Sequence, residues 1–343
     1  LARALALAAD GTPTDAEAPP AANERHDPPS ARVPATVYDR IASMTSPLVV
    51  LHVGLRGLTP VFAAPSMMGS TPLSPKLIAT HQPVLLLQHE HLRTGQTSAL
   101  HHHSLVALAR DFSSVIIEEC ARRSTNEFHL IGFSIGGLLC RLIAAEVQPA
   151  GIRASKLILV DPMPPRLTQA IISTPHDDRE VAKNYLRLRL EPFLEFAELK
   201  RRQYALERFP APELVPNIAS LLAEVGAAPF SVSSTIEVQR QLAIFTRLDE
   251  LNQAYVASTL PMVLVPEEAA CALLVPASER ESFFSLAFGA SLAIESSETE
   301  YCASSAVACS LTEDGTHLAV CSEAMLGRRP RFKQALAVFL REN

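Results

Sequence analysis

Apolar residues fall in two spacings along this chain, and the two alternate. Short runs at Val84–Gln88, Phe128–Ile131, Lys156–Asp161, Cys271–Pro276 and Ala306–Leu311 predict strands, the first of them buried on both faces. Pro47–Val53 and Thr59–Ala64 predict two more, joined by a glycine turn at Gly54–Gly57. Helical spacing lies between and after them. In His101–Arg122 the residues Leu105, Leu108, Phe112, Val115 and Ile116 share one stripe. Leu138–Val147 and Arg331–Arg341 also read as helices. Strand alternating with helix is the order of a mostly parallel sheet with crossover helices, an α/β chain.

The alternation stops after Asp161. Residues 166–260 have almost no strand spacing, and Arg179–Leu190, Glu191–Arg202, Glu213–Val225 and Thr235–Tyr255 read as helices. The last places Leu242, Phe245, Leu248, Leu251 and Tyr255 on one side. A helical insertion of this size between strands predicts a lid over a pocket, in preference to a plain second helical layer. The pattern is also missing at the start. Residues 10–35 are rich in Ala, Pro, Asp and Glu, a composition that buries too little to order itself. The expected organisation is therefore residues 1–9 as the tail of an upstream domain's helix, 10–46 as a linker and 47–343 as the folded domain.

Composition narrows the function. The chain has 343 residues, is 48% hydrophobic and carries a net charge of −6 with no basic block, so nucleic acid is not an expected partner. No apolar run approaches the roughly 18 residues of a membrane span. Cys120, Cys140, Cys271, Cys302, Cys309 and Cys321 are scattered without metal-ligand spacing. They read as reduced core thiols, which suits an intracellular location, the cytoplasm with an organelle left open.

The chemistry centres on Gly132-Phe-Ser134-Ile-Gly136, set between a predicted strand and a predicted helix. Gly-x-Ser-x-Gly in that setting is the nucleophile-elbow pattern of the α/β-hydrolase fold. The turn is so tight that residues without side chains are needed two positions to either side, and it lifts Ser134 Oγ over the sheet end at a helix N-terminus. A serine hydroxyl needs a base, and the base needs a third group to orient it. In this fold the chain order is Ser, acid, His. His317, in a turn-rich loop after the last strand, is the expected base. Asp161, ending the strand after the elbow helix, is the expected acid, with Glu279 or Glu281 as alternatives. The backbone N–H of Ile135 and one from the loop after Thr59–Ala64, at Met67 or Ser66, are the expected oxyanion donors. His89, His91, His101, His102 and His103 cluster in sequence, but their spacing favours a solvated loop and helix start over a metal site. His129, inside the elbow strand, reads as a packed core residue.

Taken in order, Pro60–Pro65 and its following loop, Leu86–His89, Leu130–Gly137, Leu157–Asp161 and Gly315-Thr-His317 resemble the thioesterase domains that end polyketide synthases, fatty-acid synthases and peptide synthetases. The resemblance covers about residues 47–342. It differs in the loop Ala64–Gly69, which lacks the usual opening, and in Thr316, where Asp is usual. It implies an α/β-hydrolase fold, a mostly parallel sheet with helices on both faces and a helical lid at 166–260. It also implies a serine hydrolase with the triad Ser134, Asp161 and His317, no cofactor or metal of its own, and an acyl or polyketide chain as substrate. That chain would arrive on the phosphopantetheine of an acyl carrier domain upstream in the same polypeptide, and leave by hydrolysis or cyclisation. Leu186, Leu190, Phe193 and Phe196 would then offer apolar lid surface. A free-standing carboxylester hydrolase, or a hydrolase-fold binding module without turnover, is the competing reading.

Overall fold

The computed structural model describes residues 47–67, 69, 71, 73–74, 77–78, 81–89, 91, 96, 104–162, 181–183, 185–186, 201–202, 211–224, 235–257, 269–276, 307–313 and 327–341. Its strands are β1 (Leu48–His52), β2 (Val61–Ala63), β3 (Val84–Leu87), β4 (Glu127–Phe133), β5 (Arg153–Val160), β6 (Ala270–Pro276) and β7 (Val307–Glu313). Its helices are α1 (Leu105–Arg123), α2 (Ile135–Val147), α3 (Ala211–Glu224), α4 (Thr235–Ala257) and α5 (Pro330–Arg341), with a 3-10 turn at Gln148–Ala150. The seven strands form one sheet in the order β1-β3-β2-β4-β5-β6-β7. All neighbouring pairs are parallel except β1 with β3.

The glycine turn at Gly54–Gly57 does not make neighbours of the strands it joins, which corrects the simplest reading of that segment. β3 lies between β1 and β2. Leu55 N donates to His81 O at 2.7 Å, and a Cβ on Gly54 would run into Pro83, so the turn is seated on the chain just before β3. Burial explains the order. Every residue of β3 is buried, which an edge strand cannot offer, whereas Val50 of β1 is 47% exposed.

Side chains alternate between two cores. Phe62, Leu85, Phe128, Leu130, Leu157 and Leu159 face α1, α2, α3 and α4. Val61, Val84, Ile131, Ile158, Val160 and Leu274 face Phe332, Leu336, Phe339 and Leu340 of α5. Helices thus cover both faces, as the resemblance implied. The described part of 166–260 is helical, and α4 packs on both α1 and α3. Val181, Ala182, Tyr185 and Leu186 join the same core. Leu190, Phe193 and Phe196 lie outside the described residues.

Candidate active site

β4 and β5 run side by side, with Phe133 opposite Val160 as their last register pair. Ser134 and Asp161 are the next residues on each strand, so their Cα atoms are set apart by about one strand spacing, roughly 4.8 Å. Backbone bonds hold both at the sheet edge. Ser134 N donates to Val160 O at 3.0 Å, and Asp161 N donates to Leu274 O of β6 at 2.7 Å. Both residues are buried and both have positive φ, 56° at Ser134 and 39° at Asp161. Ser124, in the αL turn that ends α1, is the other non-glycine residue in that region among those described. Such backbone costs of order 1–3 kcal/mol and persists only where surrounding packing imposes it.

The packing that imposes it can be named. Ser134, at φ 56° and ψ −124°, is the N-cap of α2, which begins at Ile135 without its own side-chain cap. A Cβ on Gly132 would run into the Gly136 carbonyl and lie 2.7 Å from Cys140 Sγ. A Cβ on Gly137 would lie 2.7 Å from Pro162 Cβ and 3.2 Å from its Cα. The elbow helix therefore touches the backbone just beyond Asp161, a link that no sequence spacing reveals. Ile135 N–H belongs to the first turn of α2 and points toward the helix N-terminus, while Gly137 N in the same turn donates back to Ser134 O at 2.9 Å.

The loop after β2 reaches the same edge. Ala64 N donates to Ile131 O at 2.9 Å, and Ser66 O accepts from Gly69 N at 2.9 Å. Ser66 and Met67 are both buried. β6 and β7 end at the register pair Pro276 and Glu313, also on this edge. His317, Glu279 and Glu281 lie outside the described residues. The structure thus brings together Ser134, Asp161, Ile135 and the Ser66–Met67 turn.

The other titratable groups sort themselves by burial. His129 sits inside β4 at 4% exposure, its Nδ1 3.0 Å from Ser155 Oγ. Burial, with Lys156 adding, pushes its pKa down to about 3, so it is a neutral packed residue, as its position in the strand suggested. Burial pushes the Cys140 thiol far up, against the weaker pull of the Ala64 backbone, and Cys120 up to about 11. His89 and His91 lie with ring centroids 5.4 Å apart and tilted by 39°, and His91 N donates to His89 Nδ1 at 3.3 Å. Among the described residues no group of three His, Cys, Asp or Glu side chains is placed to hold a metal. No described helix is long and apolar enough to cross a membrane.

No protein-family model matches this chain, and no curated protein does. Solved structures do. A four-domain nonribosomal peptide synthetase, in its holo form with AMP and glycine bound, aligns over 88% of this chain at 13% identity and a TM-score of 0.61. The alignment takes in 21% of that protein, so this chain spans about a fifth of its length. The NocB thioesterase domain, in covalent complex with a fluorophosphonate nocardicin G analogue, aligns over 86% of this chain and 100% of its own, at 17% identity and a TM-score of 0.50. At these identities the likeness is one of fold, and that fold is the α/β-hydrolase fold.

Proposed function

We propose that this chain is a chain-releasing thioesterase, a serine hydrolase that takes an acyl chain from a carrier-bound thioester onto Ser134. The observation that carries the reading is the pair of strained, buried residues at adjacent strand ends, Ser134 and Asp161. A fold shared with thioesterase domains supports it. His317 completes the triad in this reading. It lies four residues beyond Glu313, the end of β7. Four extended residues reach about 13 Å against about 14 Å for three strand spacings from β7 to β4, and the length of the histidine side chain itself covers the remaining gap to Ser134.

Ser134 Oγ attacks the thioester carbonyl while His317 takes its proton and Asp161 stabilises the imidazolium. The N–H groups of Ile135 and of Met67 or Ser66 receive the oxyanion. The C–S bond breaks, and the pantetheine thiol leaves with the proton from His317. Water, or a nucleophile of the acyl chain itself, then attacks the acyl-enzyme while His317 takes its proton; the ester bond to Ser134 Oγ breaks, His317 returns the proton to Oγ, and a free acid or a ring leaves. The enzyme uses no cofactor of its own, since the phosphopantetheine belongs to the carrier. In this reading a carrier domain is the partner that delivers the substrate, 166–260 is the lid, and the location is intracellular.

Fluorophosphonate labelling tests this directly. The wild type labels at Ser134, and Ser134→Ala does not. A folded wild type that resists labelling would make the chain a binding module. Faster cleavage of oxygen esters than of acyl-pantetheine thioesters would make it a carboxylester hydrolase.

A further inference from the structure

The loop that offers the second oxyanion donor is closed by a side chain outside the triad. β2 ends at Ala63, and Ala64 N makes the last ladder bond, to Ile131 O at 2.9 Å. The Ala64 carbonyl then accepts from Thr71 Oγ1, seven residues on. Thr71 is 2% exposed, and Thr71 O accepts from Leu73 N at 2.8 Å. Inside this ring, Gly69 at φ 73° donates to Ser66 O, which fixes a turn over Ser66 and Met67. From the other side a Cβ on Gly136 would stand 3.0 Å from Pro65 O and 3.2 Å from Ala64 O, so the elbow helix already touches the two carbonyls.

We infer that Thr71 is a positioning residue for the oxyanion hole: its hydroxyl clamps the Ala64 carbonyl and so sets the direction of the Ser66 and Met67 N–H groups. This rests on the thioesterase reading above. The Thr71 hydroxyl bonds to the loop's own backbone. It acts through the loop, at the two points where the loop leaves and rejoins the body. Oxyanion donors stabilise charge only when aimed at where it develops, so releasing the clamp weakens the transition state more than substrate binding.

The test compares Thr71→Val, which keeps shape and loses the donor, with Thr71→Ser, which keeps the donor. The probe is an aliphatic acyl thioester of N-acetylcysteamine. Thr71→Val is expected to lower kcat about tenfold to hundredfold with KM within about threefold, and to slow fluorophosphonate labelling to a similar degree. Thr71→Ser is expected to stay within about threefold of wild type. Amide hydrogen exchange across residues 64–71 is expected to quicken in Thr71→Val. If Thr71→Val does not fold, Thr71→Cys retains a weaker donor and its kcat is expected to fall between wild type and an unclamped loop. Wild-type kcat in a folded Thr71→Val or Thr71→Cys, or a loss that Thr71→Ser does not rescue, overturns the clamp. A wild type that neither labels nor turns over overturns the thioesterase reading itself.

Discussion

Ser134 and Asp161 pair a strained backbone with burial, and at this scale the chain's chemistry and its stability are in tension. The Gly137 contact sharpens that point. An added methyl there meets Pro162 at its Cα as well as its Cβ, so relief requires backbone movement next to Asp161. Gly137→Ala is expected to cost about 1–3 kcal/mol of stability and to lower turnover at least about tenfold. Denaturant midpoints and steady-state rates on one sample would check both, and an unchanged rate would mean that the carboxylate is held independently of α2. His129 makes a different prediction, about pH. Its folded pKa is near 3 and its ordinary value 6.5, so between them the unfolded chain binds a proton that the folded chain refuses. Its contribution is complete above about pH 6.5 and declines by about 1.4 kcal/mol per pH unit as pH falls toward 3. Relative to His129→Gln, the wild type should lose about 2 kcal/mol between pH 7 and pH 5, measured by urea unfolding at each pH.

The helices and strands were legible wherever a short-range signal exists. α1 runs Leu105–Arg123 within and just beyond the His101–Arg122 stripe that predicted it, and it begins at Leu105 because Ser104 Oγ accepts from Ala107 N. The elbow was legible because glycine spacing records a steric fact. β3's central place was not, since pairing between β1, β3 and β2 depends on contacts far apart in sequence that leave no local period. The role of 166–260 was legible only as helix. Packing decides how firmly those helices sit, and here Tyr185 and Phe245 meet edge to face at 6.0 Å while Tyr185 Oη donates to Gln241 Oε1 at 2.8 Å. Phe245 is 3% exposed within the core shared with α1. Phe245→Ala is therefore expected to destabilise the protein by about 3–5 kcal/mol. Tyr185→Phe, which keeps the ring contact and loses the hydroxyl, should cost about 1 kcal/mol. A Phe245→Ala protein with an unchanged unfolding midpoint would show that this segment is not built into the core.

Across the molecule, one edge of the sheet collects those described residues that the sequence marked for the triad and the oxyanion hole, because parallel strands deliver all their C-terminal ends to the same side. β2 brings the Ser66–Met67 turn, β4 brings Ser134 and β5 brings Asp161; β6 and β7 end there at Pro276 and Glu313. That geometry is why chain order alone could not choose the acid. Asp161 follows β5, the strand beside β4, whereas Glu279 and Glu281 follow β6, one strand further from the serine. We propose Asp161 as the acid, and the backbone around it supports that choice. Asp161 is held by a bond to Leu274 O, at a positive φ, next to a proline against which the elbow helix packs. Asp161→Asn is accordingly expected to lower kcat by about 10³–10⁴-fold with folding intact, while Glu279→Gln and Glu281→Gln each stay within about threefold of wild type. The reverse pattern in acyl-thioester turnover would move the acid to the loop after β6 and leave Asp161 as a turn residue under strain.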